Sequence, residues 1–329
     1  LLPHYPKNII IMGGGSKNLY IIERLKKHLK CKIVEEKKSK YHPDFIESQL
    51  MGLLAVRSIN NLPYTFPLTT GVSKPLSGGE LCIPKEIVLN DLNECDIIFI
   101  SVPTPMSKNG SCYLNIIESV ITDLQSINYN GFIVIRSTVP VGTCDKFNCY
   151  FMPEFLTEKN YMNDFVNNKN WIFGLLDAPE DELIKGKIIK LFDLAYTNNK
   201  IIYNNISFVT NKEAEMIKIF RNCFLATKVS FCNEIYEFCE KKQINYEIVR
   251  KLATTDDRIL TSHSIVPGPD GKRGFGGTCF PKDTSSLRYE MRKNNMTPYI
   301  MNAIIERNET VDRPEKDWLM DKGRVIVDE

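Results

Sequence analysis

The chain has 329 residues, 43% of them hydrophobic and 25% charged, enough to bury a sizeable core and to form two domains of ordinary globular composition. A formal net charge of +2 points to no particular polyanionic partner, and Lys and Arg spread along the chain argue against nucleic acid as a partner. Apolar runs such as IIFISV are strand-sized, so no membrane span is expected, and the N-terminus LLPHYPKN lacks the basic, apolar and cleavage-site order of a leader.

Ten cysteines are scattered without a CxxC pair, and the four histidines are His4, His28, His42 and His263. That pattern predicts no metal site and no disulfide framework, and so a reducing, cytoplasmic compartment.

NIIIM, from Asn8 to Met12, predicts a short strand running into Gly13, Gly14 and Gly15. Leu19, Ile22, Leu25 and Leu29 follow at helical spacing, and KIVEE, Lys32 to Glu36, reads as the next strand. Strand, glycine turn, helix and acid-ended strand is a dinucleotide-binding pattern, in which pyrophosphate rests on the helix N-terminus and the acid takes the ribose hydroxyls. Glu35 lies about twenty residues past the glycines, as that pattern requires. Asn18 stands where the pattern has its third glycine, so a plain βαβ start is the alternative. From Lys37 to Glu86 prolines break the periodicity, leaving a partly helical stretch near Phe45 to Val56 and then a long loop.

IIFISV, Ile97 to Val102, reads as a strand buried on both faces of a parallel sheet. Pro103, Thr104 and Pro105 end it at the edge where open α/β sheets take ligands. A helix is expected around Leu114 to Ile127, then the strand FIVIRS and STVPVGT, with Thr138 where that strand gives out. YFMPEFLTE sets Glu154 and Glu158 four residues apart among Phe155 and Leu156, sharing a face if helical and free to converge on one ligand if a loop. WIFGLL, Trp171 to Leu176, reads as a strand and IIKLF as part of a helix before IIY at Ile201.

Asn211 to Lys242 contains no Pro or Gly and predicts one long helix of roughly 45 Å, a spine between domains and a dimer surface. Lys218 and Asn222 stand one turn apart on it, beside an apolar stripe. A shorter helix near Tyr246 to Ala253, the polar DDR ending at Arg258, and the loop VPGPDGKR lead to GFGGTCFPKD, Gly274 to Asp283. The three glycines there leave room for a ligand against the main chain. Pro281 predicts a helix start, which puts Cys279 at a helix N-terminus, where the dipole and Lys282 favour the thiolate. A buried structural cysteine at a glycine turn is the plain alternative. The tail from Asn302 to Asp317 is expected to be helical.

GFGGTCFPKD, PEFLTE, STVPVGT and AEMIKIFRN resemble the signatures of the UDP-glucose/GDP-mannose dehydrogenase family. The resemblance implies an α/β fold: an N-terminal Rossmann-like parallel-sheet domain (1–205), then a long central helix and an all-α domain for catalysis and dimerisation (206–329). It implies a short form without the C-terminal UDP-binding domain, and NAD-dependent four-electron oxidation of a nucleotide sugar, UDP-glucose to UDP-glucuronate, through a cysteine thiohemiacetal and thioester. Catalytic roles fall on Cys279, Lys218, Asp283, Asn222, Glu158 and Thr138. Gly13, Gly15, Glu35, Thr104, Thr138, Glu158 and Lys282 would touch NAD, and the substrate would meet Glu154, Phe155, Leu156, Thr157, Glu158, Lys218, Asn222, Arg258 and Gly276. The expected partner is a second copy of the chain through the central helix. A two-electron β-hydroxyacid-type dehydrogenase, for which Lys218 and Asn222 suffice, and a degenerate sugar-nucleotide-binding protein are the alternatives.

Overall fold

The computed structural model of the protein describes residues 89–157 and 160–327, together with Asn8–Ile10, Glu23, Lys27 and Lys32–Val34. The chain divides into two units, Leu1–Glu86 and Ile87–Glu329. In the first, β1 (Asn8–Ile10) and β2 (Lys32–Val34) pair in parallel, Asn8 opposite Lys32 and Ile10 opposite Val34. Parallel neighbours require a crossover, and Glu23 and Lys27 are helical, as the sequence pattern predicts. Gly13, Gly15, Asn18, Glu35 and residues 37–86 lie outside the described residues.

The second unit is built on a five-stranded sheet of β3 (Ile97–Ile100), β4 (Phe132–Ile135), β5 (Tyr150–Phe151), β6 (Trp171–Leu175) and β7 (Ile206–Thr210), ordered as they occur in the chain. Between them lie α1 (Asn115–Ser126), α2 (Thr143–Phe147), α3 (Tyr161–Val166) and α4 (Asp181–Thr197). Every pairing is parallel except β5 with β6, where Phe151 faces Gly174 in an antiparallel contact. The sheet is therefore mixed and mostly parallel. Its last strand is ISFVT, while Ile201 of IIY is buried outside any strand.

Alternation along the strands fills two cores, one on each face. Ile135, Phe151 and Ile172 join Ile117, Ile121 and Leu124 of α1, whereas Val134, Tyr150, Trp171 and Phe173 join Ile184, Ile188 and Phe192 of α4. Trp171 packs on Phe192 at 4.8 Å and on Phe165 at 5.0 Å between ring centroids.

From β7 the chain passes directly into α5 (Asn211–Lys241). The junction is a capping box: Glu213 Oε2 accepts from the Thr210 amide at 2.8 Å, and Thr210 Oγ1 accepts from the Glu213 amide at 3.3 Å. Two buried side chains in its first turns lock the helix to the sheet. Asn211 donates to the Cys149 carbonyl at 2.9 Å, and Glu215 accepts from the amides of Gly142 (2.5 Å) and Cys144 (2.8 Å), satisfying donors at the start of α2. Gly174 makes this approach feasible, since a Cβ there would lie 2.7 Å from Asn211 Oδ1 and 2.9 Å from its Cα.

The middle of α5 carries a helical layer of α6 (Tyr246–Ala253), α7 (Phe280–Lys293) and α8 (Tyr299–Arg307), with a π-helical turn at Asn308–Asp312 and a 3-10 turn at Asp317–Met320. Ile219, Cys223, Ala226, Phe275, Met301, Ile304 and Ile305 form its core. Among the described residues no helix is long and apolar enough to cross a membrane.

Candidate active site

Where β3 and β4 end, the two chains continue side by side and are pinned by hydroxyls. Ser137 Oγ donates to the Val102 carbonyl at 2.7 Å and accepts from the Val102 amide at 2.9 Å, and Thr104 Oγ1 donates to the Thr138 carbonyl at 2.7 Å. These turns open onto a cavity of about 270 Å3 whose other walls come from Glu154 and Leu156 after β5, Lys218 on α5, and Thr278, Cys279 and Lys282 at the head of α7. Arg136 and Arg324 also line it.

Cys279 occupies the N-cap position of α7, with Pro281 in the first turn, so the thiol stands at the positive end of the helix. Its sulfur lies 3.7 Å from Thr278 Oγ1, and its carbonyl accepts from the Asp283 amide at 3.0 Å. Asp283 is buried and serves two donors, Asn222 Nδ2 on Oδ2 at 2.6 Å and Lys282 Nζ on Oδ1 at 2.7 Å. It borders a smaller space shared with Thr104, Cys112, Thr138 and Lys282. Burial pushes the Cys112 thiol up to about 11, so it stays protonated beside the site.

Lys218 is buried, and its ammonium donates to the main-chain carbonyl of Glu154. Burial draws it below the usual lysine range, opposed by the negative charge of Asp283 and the nearby Cys279. Lys282 goes the other way: burial works against its charge, but the ion pair with Asp283 prevails and holds it above the usual range. Two amines of contrasting character thus feel the charge of one carboxylate, and Lys282 is bonded to it.

The residues picked out in the sequence do not all converge. Cys279, Lys218, Thr104, Thr138, Lys282, Glu154 and Leu156 line the cavity, with Asn222 and Asp283 bonded to one another beside it. Phe155 lies under Arg221, 3.9 Å from ring centroid to Cζ, and 5.4 Å from Lys218 Nζ. Thr157 directs its amide and hydroxyl to Asp164, at 2.8 and 2.5 Å. Arg258 is exposed and paired with Asp256 at 2.5 Å, outside the cavity lining. Gly276 is covered by the chain itself, because a Cβ there would meet the Arg313 guanidinium at 2.5 Å. Gly274 likewise faces Asn308, and Gly277, at φ +71°, has open space. Room for a ligand against the main chain is therefore left at one of the three glycines. Glu158 lies outside the described residues.

Arg136 and Ser137 also line the cavity beside Thr138, and neither is among the residues that the sequence motifs single out. The available signal was a charged residue closing the otherwise apolar strand FIVI, at the sheet edge where ligands bind.

Residues 212–310 match the central domain of the UDP-glucose/GDP-mannose dehydrogenase family, and residues 67–192 match its NAD binding domain. Residues 3–84 match the anhydro-N-acetylmuramic acid kinase family, over a region mostly outside the described residues. A UDP-glucose 6-dehydrogenase of Rickettsia bellii is 31% identical over 251 residues, covering 73% of this chain and 54% of that protein. A UDP-glucose 6-dehydrogenase of Campylobacter jejuni is 32% identical over 222 residues, covering 65% of this chain and 53% of that one. The chain thus spans about half the length of the curated relatives it matches. Among solved structures, a UDP-glucose dehydrogenase from Pyrobaculum islandicum aligns with a TM-score of 0.57 at 21% identity, covering 94% of this chain and 70% of that one, which is a likeness of fold.

Proposed function

Because the chain belongs to the UDP-glucose/GDP-mannose dehydrogenase family, we propose that it oxidises the primary alcohol of a nucleotide sugar, UDP-glucose, to the carboxylate of UDP-glucuronate, in two NAD-dependent steps joined by Cys279. The chain carries an NAD-binding domain, and NAD when bound supplies the hydride acceptor for each step. The described residues fit that cofactor: Val102–Thr104 and Ser137–Thr138 are clamped at the carboxyl ends of parallel strands and open onto a cavity.

The observation that carries the proposal is that Lys218 of α5 and Cys279 and Lys282 of α7 line one cavity, with Asn222 of α5 and Asp283 of α7 bonded to each other beside it and Asp283 bonded to Lys282. In the first step the alcohol carbon gives up a hydride, and Lys218 with Asn222 holds the oxyanion that develops on its oxygen. An aldehyde cannot lose a second hydride until its carbon is tetrahedral. Attack by the Cys279 thiolate forms the C–S bond and makes it so, and departure of the second hydride leaves a thioester. Water then adds, the C–S bond breaks, the thiolate is restored and the carboxylate is released. Asp283 keeps Asn222 oriented and Lys218 charged, and Thr138 and Glu158 position water and relay protons.

We also propose a homodimer through α5. Phe220, Phe224, Phe231 and Phe238 are 60, 60, 62 and 56% exposed along one face, and the first two rings stack at 6.0 Å. Spacings of four and seven residues make a seam suited to a second helix. Lys228 of the same helix holds the loop after Arg258 through the carbonyls of Ile259 and Leu260, both at 2.8 Å, and Arg258 would then serve as a phosphate contact for the partner's site.

The deciding measurement is stoichiometry with UDP-glucose: two NADH per sugar, and no acid from Cys279→Ser. One NADH per sugar with an aldehyde product would overturn the reading.

A further inference from the structure

Arg136 has a half-buried guanidinium held only by long contacts. Its side chain is 14% exposed, yet its nearest acceptors are Glu154 Oε2 and Met152 Sδ, each at 3.9 Å, beyond hydrogen-bonding range for an oxygen. Burial lowers its proton affinity, and Glu154 only partly restores it. A guanidinium carries five N–H donors in a planar fork, and this one lines the cavity with a single bond, to the Met152 sulfur, so its fork can take a ligand there. Contrast Arg313, whose side chain is 6% exposed and which spends its fork on Asp317 at 2.7 and 2.7 Å and on Asp270 at 2.7 Å.

The other amines of the cavity wall have acceptors. Lys282 is neutralised by Asp283 at 2.7 Å, and Lys218 donates to the Glu154 carbonyl. Arg136 lines the same cavity as Cys279, and a fork of this kind matches two oxygens of a carboxylate. On the proposed function, the reacting carbon begins as a neutral alcohol and ends as a carboxylate in this cavity, so the sugar itself offers Arg136 an anion only after thioester hydrolysis.

We propose that Arg136 binds the carboxylate of the product, so that the site holds the uronate more tightly than the sugar alcohol and is subject to product inhibition. This rests on the proposed function. It assigns Arg136 no part in hydride or thiolate chemistry.

The test is calorimetric binding of UDP-glucuronate, UDP-glucose, UDP and NAD to the wild type, Arg136→Met and Arg136→Lys, after thermal unfolding has shown which variants fold. Loss of a charge-assisted bidentate contact should weaken UDP-glucuronate about tenfold or more in Arg136→Met, and less in Arg136→Lys, which keeps the charge without the fork. UDP-glucose, UDP and NAD should be unchanged. The role is overturned if all four ligands are unaffected, if both nucleotide sugars weaken equally, or if NAD alone weakens. Should Arg136→Met not fold, an unchanged UDP-glucuronate affinity in Arg136→Lys overturns it alone. A wild type that binds neither nucleotide sugar removes the proposed function as well, whereas one that binds both, with variants that do the same, removes only this role.

Discussion

Asn222 Nδ2 donates to Asp283 Oδ2 at 2.6 Å, and this one bond ties the middle of the long helix α5 to the first turn of the helix that begins at Cys279. Both partners are buried. Replacing Asn222 by Ala leaves a buried carboxylate oxygen without its donor, which costs about 1–3 kcal/mol of stability. On the proposed function the amide also supports the developing oxyanion, and the expected loss in kcat is about a hundredfold, the scale for removal of one oxyanion donor. Thermal unfolding and NADH production by the same preparation separate the two effects.

Lys218 links this site to pH. Burial depresses its proton affinity while Asp283 opposes that, so the alkaline limb of activity should fall below the usual lysine range and move to still lower pH in Asp283→Asn. Stability follows the same linkage. Between the lowered folded value and 10.5, the unfolded chain holds a proton that the folded chain has lost, so folding stability rises with pH through that window. Below it both states are protonated and the cost of burying the ammonium is fully present. Lys218→Met should therefore unfold at an equal or higher temperature than the wild type at neutral pH while producing no NADH, and its advantage should shrink as pH approaches 10.5. A variant that is both inactive and much less stable would contradict this assignment of Lys218.

Much of this could be read from residue order, and the parts that could not have physical causes. The uninterrupted apolar repeat of Asn211–Lys241 and the proline after Cys279 act locally, so the spine and the N-terminal position of the thiol were legible. The strand ISFVT was not, because Ser207 and Thr210 dilute its pattern and the preceding IIY is the stronger apolar run. Strand direction leaves no mark on composition, which is why the antiparallel contact of Phe151 with Gly174 had to be seen. Gly276 carries the same lesson in the site. Its missing side chain is used by Arg313, thirty-seven positions later in the chain, and only the fold brings them together. A lone arginine after an apolar strand forms no motif by itself; Arg136 gains its significance from the cavity it lines with Cys279.

Glu215 gives a prediction about folding alone. Its two oxygens accept from the Gly142 and Cys144 amides, so one α5 side chain closes the start of α2 from across the core. Glu215→Ala leaves both amides without an acceptor, the Cys144 amide fully buried and the Gly142 amide partly so, and should cost about 3 kcal/mol, a drop of roughly 5–10 °C in Tm. Glu215→Gln retains one acceptor and should fall between that variant and the wild type. Chemical denaturation of the three proteins orders them directly, and equal midpoints would show that α2 is held by other means.

The exposed seam of α5 offers a last test. Phe224 is 60% exposed and stacked on Phe220, at the position where a second copy of the helix would cross. In the proposed homodimer this ring is desolvated by its symmetry mate, so Phe224→Glu places two carboxylates against each other and against apolar rings. Both the burial of charge and the like-charge repulsion act on association, and neither acts on the isolated fold, because the ring touches solvent there. Sedimentation should show the wild type as a dimer and Phe224→Glu as a monomer, or as a dimer at least tenfold weaker, with little change in unfolding temperature once protein concentration is low enough to dissociate both. If Arg258 completes the partner's site, the monomeric variant also loses affinity for UDP-glucose but not for NAD. Phe224→Glu protein that remains a tight dimer would mean that the seam is not where the copies meet.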